Sequence, residues 1–301
     1  MSEGLRSEEL RAALADALAG RAKRLGDLLA LHGGLPGVRA NLALAAAFGE
    51  AVAGAGKGAR ALLDALRADP AEADSARAFL PIAAAYGHAA RLEGDPRHAW
   101  EGVLELAADD RAPVRMALVA ALSAWCARAA GNVDQLVARA GEWLELADRE
   151  HAYAAQAIAL DVIADRRGLE GLEDPRALLG WLERLLEAVA SAPRAAERSV
   201  ARRKMLAALP AALAETAASL RAGHDGVAWL IERAAEAHHA DLHRAMGRTI
   251  DELRRGSRAQ RGETLEALRA ALATTVKPPR DPTRIREGVR ARGKKGKRRS
   301  R

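Results

Sequence analysis

Val103-Leu104-Glu105-Leu106-Ala107 and Trp143-Leu144-Glu145-Leu146-Ala147 align without a gap, 40 residues apart. Trp181-Leu182-Glu183-Arg184-Leu185 and Trp229-Leu230-Ile231-Glu232 are variants of the same pattern. Each reads as the core stripe of the first helix of a pair. Helix starts expected at 57, 97, 133 and 175 fall 36–42 residues apart, and the next, at 225, comes later. A period near 40 residues is that of two-helix solenoid repeats. One helix pair cannot bury its own apolar face, and stacking pairs makes a continuous core. The expected fold is therefore all-α: a right-handed α-solenoid of about six antiparallel helix pairs.

Composition agrees. About a quarter of the 301 residues are alanine, and only 3% are aromatic. Alanine and leucine favour helices, and few β-branched residues are present to favour strands. Sandwiches, barrels and parallel-sheet nucleotide folds are thereby disfavoured. The single cysteine, Cys126, cannot form an intrachain disulfide or a cysteine zinc cluster, and reads as a small buried residue. The polar start of the chain does not resemble a secretory signal. No apolar run approaches the roughly 18 residues of a spanning helix, so a cytoplasmic location is expected.

Punctuation divides the chain into helices. Asp69-Pro70, Asp95-Pro96 and Asp174-Pro175 each offer an N-cap carboxylate followed by proline at the first helical position. Gly131-Asn132 reads as a stop and a new N-cap, and Ser257-Arg258-Ala259-Gln260 matches a capping box. Thirteen amphipathic runs lie between these marks, among them 7–31, 37–53, 74–91, 113–129, 151–166 and 195–220.

Leu106-Ala107-Ala108-Asp109-Asp110-Arg111-Ala112-Pro113-Val114-Arg115-Met116-Ala117 resembles the HEAT repeat, with Asp109, Pro113, Val114 and Arg115 in the family's signature places. The resemblance implies an Asp in the inter-helix turn, able to pair with the Arg of a neighbouring repeat, and second helices lining a concave face. Gly34-Leu35-Pro36-Gly37-Val38-Arg39-Ala40-Asn41-Leu42-Ala43 is similar, keeping Val38-Arg39 but lacking the Asp. The expected domains are a HEAT-like helical repeat domain, 1–276, and a basic disordered tail, 277–301.

Trp100, Trp143, Trp181 and Trp229 recur once per pair. They either fill gaps between alanine-rich helices, the favoured reading, or stack on a ligand in a groove. Glu232, Glu236, His239 and His243 fall on one helix face if the helix is continuous, and could then approach a metal; a solvated face is the default. No nucleophile elbow, phosphate-cradling loop or zinc-protease motif is present. Gly54-Ala55-Gly56-Lys57-Gly58 has no preceding strand and reads as an inter-repeat loop. HEAT-like DNA glycosylases use a Trp- and Arg-flanked Asp; Asp109-Asp110 and Arg115 lack that setting, so no catalytic role is carried over. Neither a cofactor nor a resident metal is expected.

Charge is uneven. Residues 1–190 carry 21 basic and 28 acidic side chains, residues 191–276 carry 14 and 10, and residues 277–301 carry 12 and 2. Arg194, Arg198 and Arg202 stand four apart, with Arg203 and Lys204 adjoining, and would form one stripe on a second helix. Arg244 and Arg248 add to it. The tail includes Arg290, Arg292, Lys294, Lys295, Lys297, Arg298, Arg299 and Arg301. A polycation of this kind binds nucleic acid by counterion release, without sequence specificity. The expected function is a non-enzymatic HEAT-like scaffold: a protein partner on the curved face, DNA or RNA on the tail. A pure protein–protein adaptor is the alternative, and a glycosylase-like enzyme a more distant one.

Overall fold

The computed structural model describes residues 7–56, 58–220, 225–255 and 262–275. They form fourteen α-helices, with three short 3-10 helices and no strand among the described residues. The α-helices are α1 (Ser7–Leu18), α2 (Lys23–His32), α3 (Leu42–Ala53), α4 (Gly58–Arg67), α5 (Phe79–Ala90), α6 (Pro96–Ala107) and α7 (Ala112–Cys126). They continue with α8 (Asn132–Trp143), α9 (Arg149–Ala164), α10 (Pro175–Ala190), α11 (Val200–Ser219), α12 (Gly226–Ala235), α13 (Ala240–Arg255) and α14 (Gly262–Thr274).

Packing runs between helices two apart in the chain. α3 lies on α5, α5 on α7, α7 on α9, α9 on α11 and α11 on α13. On the other side α4 meets α6, α8 meets α10, and α12 meets α14. Sequence neighbours join the two sets. Helices touched on several sides are apolar on several sides. α5 buries Phe79, Leu80, Pro81, Ile82 and the run Ala83-Ala84-Ala85, leaving scarcely a polar face. By contrast α4 and α10 each bury one stripe.

Four expected starts and stops differ. The run 7–31 is two helices, because Gly20 takes a left-handed φ of 89° and turns the chain. Asp69 does not cap a helix; its carboxylate accepts from the Ala71 amide and pairs with Arg77, and α5 begins after the 3-10 turn Ala76–Ala78. Asp95 precedes α6 but makes no side-chain cap. It receives two bonds from Arg60, at 2.7 and 2.8 Å, and faces Arg91, which donates to the Val52 carbonyl and closes α3. Asn132 is the first residue of α8, not its cap, and donates to the Trp125 carbonyl at 2.9 Å. Asp174 caps α10 as expected, accepting from the amides of Arg176 and Ala177. Ser257–Gln260 lies outside the described residues.

The 40-residue period reappears in the polar contacts. Arg111 donates to the carbonyls of Asp69 and Ala71, both at 2.9 Å, and Asp134 accepts from the amides of Glu173 and Asp174. The Asp109 carboxylate pairs with Arg111 of its own turn, at 2.6 and 2.9 Å, rather than with an Arg of the next repeat. Arg111 carries the tie to the preceding turn. Val114, in the first turn of α7, is fully buried. Val38 is fully exposed in the turn before α3, so the second HEAT-like stretch does not open a helix.

The tryptophans are core. Trp100, Trp143, Trp181 and Trp229 are all buried, as is Trp125. Trp100 meets Trp125 and Trp143 edge-on, with ring centres 5.6 and 5.7 Å apart. Gln156 of α9 accepts from the Trp181 indole of α10 at 2.9 Å and donates to the Ala140 carbonyl of α8. Cys126 is buried, and burial pushes its thiol up to about 12, far from a reactive thiolate.

His88 sits inside α5, and neither of its ring nitrogens is hydrogen-bonded to a described residue. Its ring rests on Gly102, where a Cβ would come within 2.2 Å. Burial lowers its pKa to about 3; His98, Arg67 and Arg91 push the same way, and Asp64 opposes them. The unfolded chain, with an ordinary His pKa of about 6.5, therefore binds the proton that the fold refuses. Stability is full above pH 6.5 and falls as pH drops toward 3, by up to about 1.4 kcal/mol per unit.

Val114→Asp should destabilise the protein by about 2–4 kcal/mol by burying an uncompensated charge, seen as a lowered melting temperature. His88→Leu should remove about 2 kcal/mol of the stability change between pH 6.5 and pH 5, measured by urea unfolding.

Candidate docking groove

A groove of about 760 Å³ crosses the solvent-facing sides of α7, α9 and α11. α7 contributes Ala112, Arg115, Met116 and Val119. α9 contributes Glu150, His151, Ala154, Ala157, Ile158 and Asp161, and α11 contributes Val200, Ala201, Lys204, Ala207 and Ala208. Within each set, single residues and adjacent pairs recur every three or four positions, as one face of a helix requires. The helices run the same way. Lys204 feels the charges of Asp109 and Asp110, so α11 begins beside the start of α7. After α9, the Gly171 carbonyl accepts from the Gly131 amide, just beyond the end of α7.

The floor is mostly alanine, and the lips are Met116 and Val200, 71% and 54% exposed. Large apolar side chains left in water beside a concave apolar floor are the signature of a docking surface. A second groove, by α1 and α2, includes the exposed Leu31, but its charges are spent on each other in the pairs Arg21–Asp16 and Lys23–Asp27.

Charge is arranged along the first groove. Arg115 donates to the Asp109 carbonyl of its own turn, which fixes its stem. Lys204 makes no ion pair with a described residue. Desolvation lowers its pKa and Arg115 adds to this, while Asp110 and Asp109 oppose. Asp161 opens to solvent at the far end, yet the concave wall desolvates it and raises its pKa. Seven residues separate Ala154 from Asp161 along α9, about 10 Å.

The expected arginine stripe is not formed. Arg194 and Arg198 lie exposed in a 3-10 turn, and α11 starts only after Ser199, whose hydroxyl accepts from the Arg202 amide. Arg202 is buried, bonded to Asp241 of α13 at 2.8 Å. Burial alone would raise the Asp241 carboxyl; Arg202 reverses this and holds it below its ordinary value. Arg203 is exposed beside Lys204 on α11, so two cations of the expected stripe remain on one helix, with Lys204 in the groove. Arg244 and Arg248 are exposed on α13, the former paired with Asp241. The tail cations Arg290, Arg292, Lys294, Lys295, Lys297, Arg298, Arg299 and Arg301 lie outside the described residues.

Glu232, Glu236, His239 and His243 do not share one helix. α12 ends at Ala235, Arg233 pairs with Glu232 and Glu236, and the His239 ring accepts from the Asp241 amide. Among the described residues no cluster of three or more His, Cys, Asp or Glu could hold a metal. No helix among them is long and apolar enough to cross a membrane.

No family model, curated protein or solved structure matches the chain. The resemblance to HEAT repeats therefore rests on the residues around Asp109 and on the period.

The burial of Arg202 yields a prediction. Arg202→Ala should cost about 2–4 kcal/mol by removing the buried partner of Asp241 and leaving it only the exposed Arg244. Urea unfolding should show that loss, and the salt dependence of any nucleic-acid binding should not change.

Proposed function

We propose that this chain is a non-enzymatic HEAT-like scaffold that holds a protein partner in the groove across α7, α9 and α11. The observation that carries this reading is the pair of exposed apolar lips, Met116 and Val200, over an alanine floor. Alanine admits a close backbone approach, and the lips supply apolar area to bury. In this reading the helix packing is a right-handed α-solenoid of about six pairs, with α7, α9 and α11 as second helices on its concave side. The HEAT resemblance at Asp109–Arg115 supports that assignment. The tail, 277–301, with 12 basic residues against 2 acidic, adds non-specific affinity for DNA or RNA. This second element rests on the sequence of the tail alone.

Capture from cell lysate, with and without nuclease, tests both parts. A nuclease-resistant protein partner should be held by the wild-type chain and lost with Met116→Asp/Val200→Asp. Retention of every partner by that variant would remove the groove from the function. On duplex DNA, neutralising about six phosphates gives a slope of log affinity against log salt near −5. Truncation after Val276 should abolish most of that slope; undiminished binding would move the nucleic-acid site into the helical part.

A further inference from the structure

We propose that the groove seats an acidic side chain of the partner protein between Arg115 and Lys204, above Ala154, with the apolar remainder of the segment on Met116 and Val200. The inference rests on the reading of the groove as a protein-docking surface and names the chemistry of its occupant.

Arg115 and Lys204 reach the same groove from helices on either side of α9. α9 packs between α7 and α11, and its Ala154 and Ala157, whose side chains end at Cβ, line the floor of the same groove. The charges of the two cations act on each other, and Arg115 adds to the lowering of the Lys204 pKa. Two cations held in mutual repulsion gain from an anion placed between them. The acids nearby do not fill that place. Asp109 is committed to Arg111 through both oxygens. Asp110 offsets part of the Lys204 charge but makes no ion pair with a described residue. Glu150 lies in the first turn of α9, and Asp161 lies about two helical turns beyond Ala154.

The distribution of those acids selects the kind of anion. A nucleic-acid backbone is negative along its whole length, and would meet Asp110, Glu150 and Asp161 as well as the two cations. A protein segment can bring a single carboxylate to the two cations and set apolar residues beside Asp110, Glu150 and Asp161, and it buries Met116 and Val200 as it does so. Asp161 fixes the direction: the acidic residue sits at the Ala154 end, and a second acid two turns on is repelled. Lys204 is partly exposed and makes no ion pair with a described residue, so changing it breaks no ion pair among them.

A phage-displayed library of random linear 12-residue peptides, selected on the full-length protein, tests the proposal. The selected peptides should share one Asp or Glu flanked by apolar residues. Lys204→Glu should weaken them about tenfold or more and Lys204→Gln less, at an unchanged melting temperature. Replacing the shared acid by Lys should abolish binding to the wild type and restore it to Lys204→Glu. A consensus without an acid, or affinities indifferent to Lys204→Glu, would overturn the acidic anchor. If such peptides still lose binding to Met116→Asp, the groove remains the docking surface and only its chemistry is wrong. Peptides indifferent to both substitutions would overturn the anchor and the docking groove together. Displacement of the peptides by a duplex DNA oligonucleotide, lost on Lys204→Glu, would replace the carboxylate by a phosphate and overturn the proposal.

Discussion

The structure depends on helices that are buried on more than one side. α5 and α9 expose too little polar surface to stand in water, so each needs a neighbour on either flank. That requirement passes along the chain: α5 needs α3 and α7, α9 needs α7 and α11, and each of these brings its own partner from the second set. Alanine makes the arrangement possible, because small side chains let axes approach closely. It also makes it weak in apolar area per residue, and the tryptophans compensate. Trp100, Trp125 and Trp143 meet edge-on where α6, α7 and α8 come together, and burial of such large side chains outweighs many alanine contacts.

Polar groups set the register that alanine cannot. Smooth alanine faces slide; a guanidinium on two carbonyls does not. Arg111 on the turn at Asp69 and Ala71, Arg91 on the end of α3, and Gln156 between α8 and α10 each join segments at one fixed offset. His88 belongs to the same layer of packing but contributes in the opposite sense. It is tolerated as a neutral ring against Gly102, and it makes the fold acid-sensitive instead of registering it.

The helices were legible in the sequence wherever local chemistry decides. Asp174-Pro175 caps α10, and no described side chain pairs with that carboxylate. Asp95-Pro96 looks the same in sequence, but Arg60 and Arg91 arrive from elsewhere and take the carboxylate for an ion pair. The turn at Gly20 had a signal, a glycine in a polar stretch, that the strong apolar pattern on both sides obscured. The broken arginine stripe had one too. Pro193 and Ser199 bracket Arg194 and Arg198, and a serine three residues before Arg202 is a helix start in its own right.

The groove was not legible, because its residues belong to three helices and only their packing aligns them. Yet the period nearly finds it. Arg115 and Ala154 are 39 residues apart, and one further step points near Arg194. Lys204 occupies that place instead, because the segment around the 3-10 turn Arg194–Arg198 adds about ten residues before α11 begins. A cation falls in the row, but a different one from the cation that helical spacing selects. The same insertion leaves Val200 at the very start of α11, where no preceding turn covers it, and so it stays exposed at the edge of the groove. One irregular segment, the 3-10 turn Arg194–Arg198, thus accounts for the lost stripe, the position of Lys204 and one of the two apolar lips. The segment before α11 sets which of that helix's side chains, Val200 and Lys204 among them, line the groove.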